Sequence, residues 1–93
     1  MSRVRQQIKL SLLRSLIAVD DAGSIRGAAR ALGFTQPALT KNIAQLEQLV
    51  GSPVVQRGSA GTGLTEVGRA LLVHARAIET ELRRAEEHVA QLL

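Results

Sequence analysis

Between Thr35 and Lys41 the chain reads Thr35-Gln36-Pro37-Ala38-Leu39-Thr40-Lys41. One amide, two hydroxyls and one ammonium group fall within a short stretch that holds no carboxylate. The Gln36 amide sets a donor beside an acceptor, the pair needed to bond the N6 and N7 edge of adenine in bidentate fashion. Pro37 and Ala38 are small apolar groups suited to touch a thymine methyl. Thr40 can reach a phosphate or a base edge, and Lys41 a guanine or a phosphate. If Leu39 and Ile43 turn inward on a helix, Gln36, Pro37, Thr40, Lys41, Ala44 and Gln48 share the opposite face. An ordinary solvated helix surface has the same outline. The absence of acidic groups near its N-terminus favours a surface that lies against phosphates, with Glu47 only at the far end.

Three hydroxyls, that of Thr35 among them, stand where helices start. Ser24, Thr35 and Thr65 each suit an N-cap, and helix N-termini also attract anions, so each is a candidate for backbone phosphate contact. Arg57 precedes a glycine-rich turn and is placed to flank or enter a minor groove. Gly58-x-x-Gly61-x-Gly63 lacks the Lys-Ser/Thr of a nucleotide-binding loop, so it reads as a hairpin tip. His74 and His88 are fourteen residues apart, and there is no cysteine. No metal-ligand spacing results, and neither a metal nor a cofactor is expected. Asp20 and Asp21 read as a solvated helix end, because adjacent helical residues point apart. No nucleophile lies near a base in the sequence pattern, and no enzyme is expected.

The elements that position these groups follow from apolar spacing and from glycine and proline. Ile8, Leu12, Leu13, Leu16, Ile17 and Val19 form a stripe with helical period, stopped by Gly23. Ser24 opens a short helix, Ile25 to Ala31, whose Ala28 and Ala29 allow close approach; Gly33 ends it. Thr35 opens a third helix with Pro37 in its first turn and Leu39, Ile43, Leu46 and Val50 in a row; Gly51 and Pro53 close it. Val54 to Arg57 reads as a strand, residues 58–63 as a flexible turn, and Leu64-Thr65 as a second extended piece. From Glu66 onward the chain reads as one helix. Leu71, Ala75, Ile78, Leu82, Ala85, Val89 and Leu92 repeat at alternating spacings of four and three, a heptad seam. Such a helix is about 42 Å long, too long to be buried against the rest of the chain, so its far half needs a partner. The fold class is mainly α: a winged helix-turn-helix (1–65) with a two-stranded wing, followed by a long dimerisation helix (66–93). That geometry projects the third helix into a major groove.

Charge and composition agree. Residues 1–57 carry eight basic and three acidic side chains, whereas 58–93 carry four and five. The basic excess lies in the part that holds the candidate interface, as a nucleic-acid footprint requires. Phe34 is the only aromatic among Phe, Tyr and Trp, so base-stacking platforms for single strands or RNA are missing and duplex DNA is favoured. No apolar run is long enough for a membrane span, and no signal-peptide core follows the basic N-terminus. The lack of cysteine fits a reducing cytoplasm.

The residues also resemble the LysR-type transcriptional regulators. The resemblance is carried by Leu12–Gly23, by Gly23-Ser24-Ile25-Arg26-Gly27-Ala28-Ala29-Arg30-Ala31-Leu32, by Thr35-Gln36-Pro37-Ala38-Leu39-Thr40-Lys41-Asn42-Ile43, by Leu46-Glu47 and by Leu64-Thr65-x-x-Gly68. It covers nearly the whole chain, and the Thr-Gln-Pro-Ala-Leu-Thr-Lys run is its most specific part. The resemblance implies binding to an interrupted inverted repeat near a promoter, with contacts from Thr35, Gln36, Pro37, Thr40, Lys41 and the wing arginine Arg57. It implies an antiparallel homodimer through the long helix, tetramers in full-length members, and an inducer-binding C-terminal domain. The chain resembles an N-terminal piece of such a regulator, so no inducer is expected to bind it. Two positions depart from the family pattern: Ser15-Leu16 replace an aromatic pair, and Ala60 stands where many members have a second basic wing residue. Two other readings remain open at this point: the DNA-binding domain of a molybdate-responsive-type regulator, and a helical dimerisation module that does not bind DNA.

Overall fold

A computed structural model describes residues 7–93 of the chain; the basic segment Met1-Ser2-Arg3-Val4-Arg5 lies outside the described residues. Among the described residues, four helices and one hairpin follow in the order α1 (Leu10–Ala22), α2 (Ile25–Leu32), α3 (Gln36–Val50), β1 (Val55–Gly58), β2 (Gly61–Leu64) and α4 (Glu66–Leu92).

The helix ends follow from local chemistry. α1 begins at Leu10, later than the apolar stripe suggests, because Lys9 is extended and its carbonyl accepts from the Leu12 and Leu13 amides. Ile8 therefore precedes the helix, yet still packs on the core. Gly33 ends α2 in the left-handed region at φ 71°, and a Cβ there would meet nothing within 4 Å. The constraint is thus backbone conformation, not space. The Phe34 amide reaches back to the Ala29 carbonyl at 2.8 Å, which makes the turn to α3 tight. Ser24, Thr35 and Thr65 all act as N-caps, accepting from Gly27, Ala38 and Gly68 at 2.9, 3.2 and 3.0 Å.

The core lies between α1, α2 and α3. Leu12, Leu16, Val19, Ala28, Leu39, Leu46 and Val54 are essentially inaccessible to solvent. Leu71 and Leu72 of α4 pack against this cluster. Buried leucines of this kind each contribute roughly 2 kcal/mol of apolar burial, so the three-helix body does not depend on the far half of α4.

The wing differs from its sequence reading. β1 runs one residue later than expected, and β2 starts inside the segment expected to be a flexible turn. The strands are antiparallel, with Val55 opposite Leu64, Gln56 opposite Gly63, Arg57 opposite Thr62 and Gly58 opposite Gly61. Only Ser59 and Ala60 form the tip. Glycine carries little strand signal, so the pairing was hidden; register comes from Leu64, which is buried, and from the Thr62 amide, which donates to the Gly23 carbonyl at 3.1 Å. Val54 stays outside the ladder. It is buried, and its carbonyl accepts from the Thr65 amide at 3.0 Å. α4 starts against this point through Gly68, where any Cβ would collide with the Val54 carbonyl.

α4 crosses the C-terminal end of α1 and then leaves the body. Every residue from Arg83 to Leu93 is exposed. Among the described residues no helix is long and apolar enough to cross a membrane.

Candidate nucleic-acid interface

The candidate surface is the outer face of α3. Leu39, Ile43 and Leu46 are buried against the other helices, which turns Gln36, Pro37, Ala38, Thr40, Lys41, Ala44 and Gln48 to solvent. The first turn of α3 holds no acidic residue. The exposed positive end of the helix dipole is therefore uncompensated by the chain itself, which favours a phosphate there. Thr35 uses its hydroxyl as an acceptor for the Ala38 amide and keeps its proton free to donate. Ser24 is in the same state: its oxygen accepts from Gly27 and its own proton is unassigned.

Two flanks complete the surface. α2 contributes exposed Arg26 and Arg30. The hairpin contributes Arg57, which is exposed and faces Thr62 across the ladder. Thr65 is placed differently from the other two caps. Its hydroxyl accepts from Gly68 and also donates to the Pro53 carbonyl at 2.8 Å. Its only proton is thus committed inside the chain, joining the start of α4 to the end of the α3–β1 loop, and a phosphate would have to displace that bond.

The spacing of side chains on α3 did not disclose what holds it in place. Glu47, read only as a distant acid, reaches back with one carboxylate oxygen to the amides of Val54 and Val55, at 2.8 and 3.4 Å. It ties the recognition-type helix to the wing. On the other edge, the Asn42 amide donates to Ser15 Oγ at 3.2 Å, and Ser15 donates to the Ser11 carbonyl at 3.1 Å. Neither link has a sequence signature, since each joins residues whose proximity only packing creates.

Asp20 and Asp21 require correction in one respect. They do form an exposed helix end, but their side chains do not diverge: Nη2 of Arg76 lies 2.7 Å from a carboxylate oxygen of each. Both acids sit in the last turn of α1, at the negative end of its dipole, where no basic residue of α1 offsets them. α4 brings Arg76 there. The hydrogen bonds that the guanidinium donates, to Asp21 first and then to Asp20, hold it above its ordinary pKa. A second pair, Arg14 with Glu79 at 3.0 Å, links the same two helices.

The heptad seam of α4 divides in two. Ala75 is completely buried in its own protomer and Leu71 packs on its own core. Leu82 is half-buried. Ile78, Ala85, Val89 and Leu92 are exposed. At about 100° per residue, all seven positions stay on one stripe of the helix, so the division runs along its length: the first turns are taken up by the chain's own core, and the stripe is open from Ile78 onward, apart from Leu82.

The fold is shared with known proteins. Residues 10–69 match the family model of the bacterial regulatory helix-turn-helix protein, lysR family. The chain belongs to the lysR family. Within it, the HTH-type transcriptional regulator GbpR of Rhizobium radiobacter is 39% identical over 85 residues, covering 89% of this chain and 28% of that protein. The small neutral protease regulatory protein of Streptomyces coelicolor is 46% identical over 66 residues, covering 71% of this chain and 21% of that protein. The chain thus spans about a quarter of the length of these curated lysR relatives. Among solved structures, the CbnR DNA-binding domain in complex with DNA superposes with a TM-score of 0.80 at 31% identity, over 90% of this chain and 97% of that one.

Proposed function

We infer that this chain is the sequence-specific, double-stranded DNA-binding domain of a LysR-type transcriptional regulator and works as a homodimer on an inverted repeat. The observation that carries this reading is the exposed, carboxylate-free face of Gln36, Pro37, Ala38, Thr40 and Lys41 at the N-terminus of a helix locked to the body by its opposite side. In a major groove, Gln36 bonds an adenine edge, Pro37 and Ala38 meet thymine methyls, and Thr40 and Lys41 take base edges or phosphates. Ser24 and Thr35 donate to the sugar-phosphate backbone, and Arg57 flanks the groove beside it. Thr65 contributes chiefly by seating α4. The exposed apolar side of α4, from Ile78 to Leu92, joins two such heads, so that two half-sites are read together. Tetramer formation and inducer binding belong to the effector domain of a full-length regulator.

The test is selection of duplexes from a random pool, followed by titration of the enriched duplex across salt concentrations. An inverted repeat should emerge, and affinity should fall steeply with salt, since each neutralised phosphate contributes a slope of about −0.9 on a log–log plot. No enrichment, or an affinity indifferent to salt, would overturn the reading. A dimer that ignores every duplex would leave the helical dimerisation module in its place.

A further inference from the structure

The geometry points to Asn42 and Ser15 as positioning residues that set the roll of α3 and thereby the accuracy of base recognition. The inference rests on the duplex-binding reading above and goes beyond the residues that touch DNA.

Leu39, Ile43 and Leu46 hold α3 against α1 and α2 by apolar contact. Such contact is strong but non-directional. It fixes how close the helix lies, and fixes its rotation about its own axis less tightly. Rotation matters at this site. A roll of about 20° moves a side-chain tip about 6 Å from the axis by about 2 Å, beyond the tolerance of a bidentate hydrogen bond.

Directional bonds are what resist a roll, and α3 has one on each edge of its apolar row. At about 100° per residue, Asn42 and Glu47 project on either side of that row. Glu47 holds the wing-side edge through the Val54 and Val55 amides. Asn42 holds the α1-side edge through Ser15. Ser15 has no solvent exposure and is the only buried polar side chain among the described residues. Its proton goes to the Ser11 carbonyl, so its lone pair can receive only a donor. The amide of Asn42 must therefore present Nδ2, and its orientation is determined. An aliphatic side chain would fill the same space, yet could not report the angle of the helix.

Replacing Asn42 is a clean perturbation. Ser15 keeps its bond to Ser11, so Asn42→Leu leaves no buried polar group without a partner. The experiment uses the 93-residue chain, the duplex it enriches from a random pool, and a duplex of the same length with shuffled sequence. Enrichment by the unaltered chain is scored first; its failure overturns the duplex-binding reading itself. With enrichment in hand, Asn42→Leu should bind the shuffled duplex within about twofold of the unaltered chain and the enriched duplex roughly five- to twentyfold more weakly, the scale expected for a supporting shell that has loosened. Ser15→Ala should cause the same selective loss, and the double variant no further loss, because one interaction is being removed. Ser15→Thr, which keeps the hydroxyl, should retain selectivity. Equal losses on both duplexes, additive losses, an unfolded Asn42→Leu by circular dichroism, or full retention of selectivity would each overturn the proposal.

Discussion

At the scale of single residues, side chains on one face of α3 have separable consequences. Gln36→Ala should weaken binding to the enriched duplex by about 1–3 kcal/mol and relax preference at one base position, as loss of a bidentate contact does. Lys41→Ala, on the phosphate-contact branch of its assignment, should weaken all duplexes alike and reduce the salt slope by about 1. Fluorescence anisotropy at several salt concentrations separates the two outcomes. Gly68 has a steric role. Its Cα faces the Val54 carbonyl so closely that Gly68→Ala forces the start of α4 away from the wing. Destabilisation of about 1–3 kcal/mol is expected for that overpacking, read as a lower urea midpoint. Gln36 and Lys41 were legible as chemistry, because their types and their distance from Leu39 and Ile43 place them outside. Gly68 was visible only as part of a family pattern; the carbonyl that excludes a side chain comes from a residue fourteen positions earlier.

Elements are held in register by polar links that cross between them. Glu47→Ala removes the acceptor for the buried Val54 amide, and an orphaned amide costs about 1–3 kcal/mol. Thermal unfolding should show that loss, with Glu47→Gln much closer to the unaltered chain because an acceptor oxygen remains. The bridge from Arg76 to Asp20 and Asp21 lies in solvent, with side-chain exposures of 43, 41 and 62%, so screening discounts it. Arg76→Ala should cost about 1 kcal/mol or less, and less still in high salt. Because the guanidinium pKa is raised by its two carboxylate partners, the contribution is present wherever those carboxylates are ionised and fades as pH rises through the alkaline range in which the guanidinium loses its proton. Urea midpoints of the unaltered chain and Arg76→Ala should therefore keep a constant separation between about pH 7 and pH 9. Helix boundaries were readable from caps and glycines to within two residues. The hairpin was not, because Gly61-Thr62-Gly63 has no strand-forming pattern of its own and pairs only where Leu64 and the Gly23 carbonyl anchor it.

For the molecule as a whole, α4 divides along its length: its first turns pack on the body and its far half stands clear of it. Ala75→Asp places a charge in a closed interior and should unfold the protomer. Ile78→Asp alters a position already open to solvent and should leave helix content unchanged while shifting the sedimenting species from dimer to monomer. DNA affinity should fall with the loss of the second head. A monomer for the unaltered chain at micromolar concentration would refute this division of labour. The heptad pattern treats Leu71 to Leu92 as one seam, because periodicity records which positions are apolar and says nothing about which apolar surface reaches them first. The body of the same chain captures Leu71 and Ala75.

The amino-acid sequence by itself determined the helices, their caps and the outward face of α3. Each of these depends on interactions between residues close in the chain, where identity and spacing are sufficient. Tertiary structure alone decided the pairing of the wing, the polar clamps at Asn42 and Glu47, the bridging of Asp20 and Asp21 by Arg76, and the splitting of the α4 seam. The polar links among them join residues between 7 and 56 positions apart, and a hydrogen bond at that separation exists only after packing has brought donor and acceptor within reach.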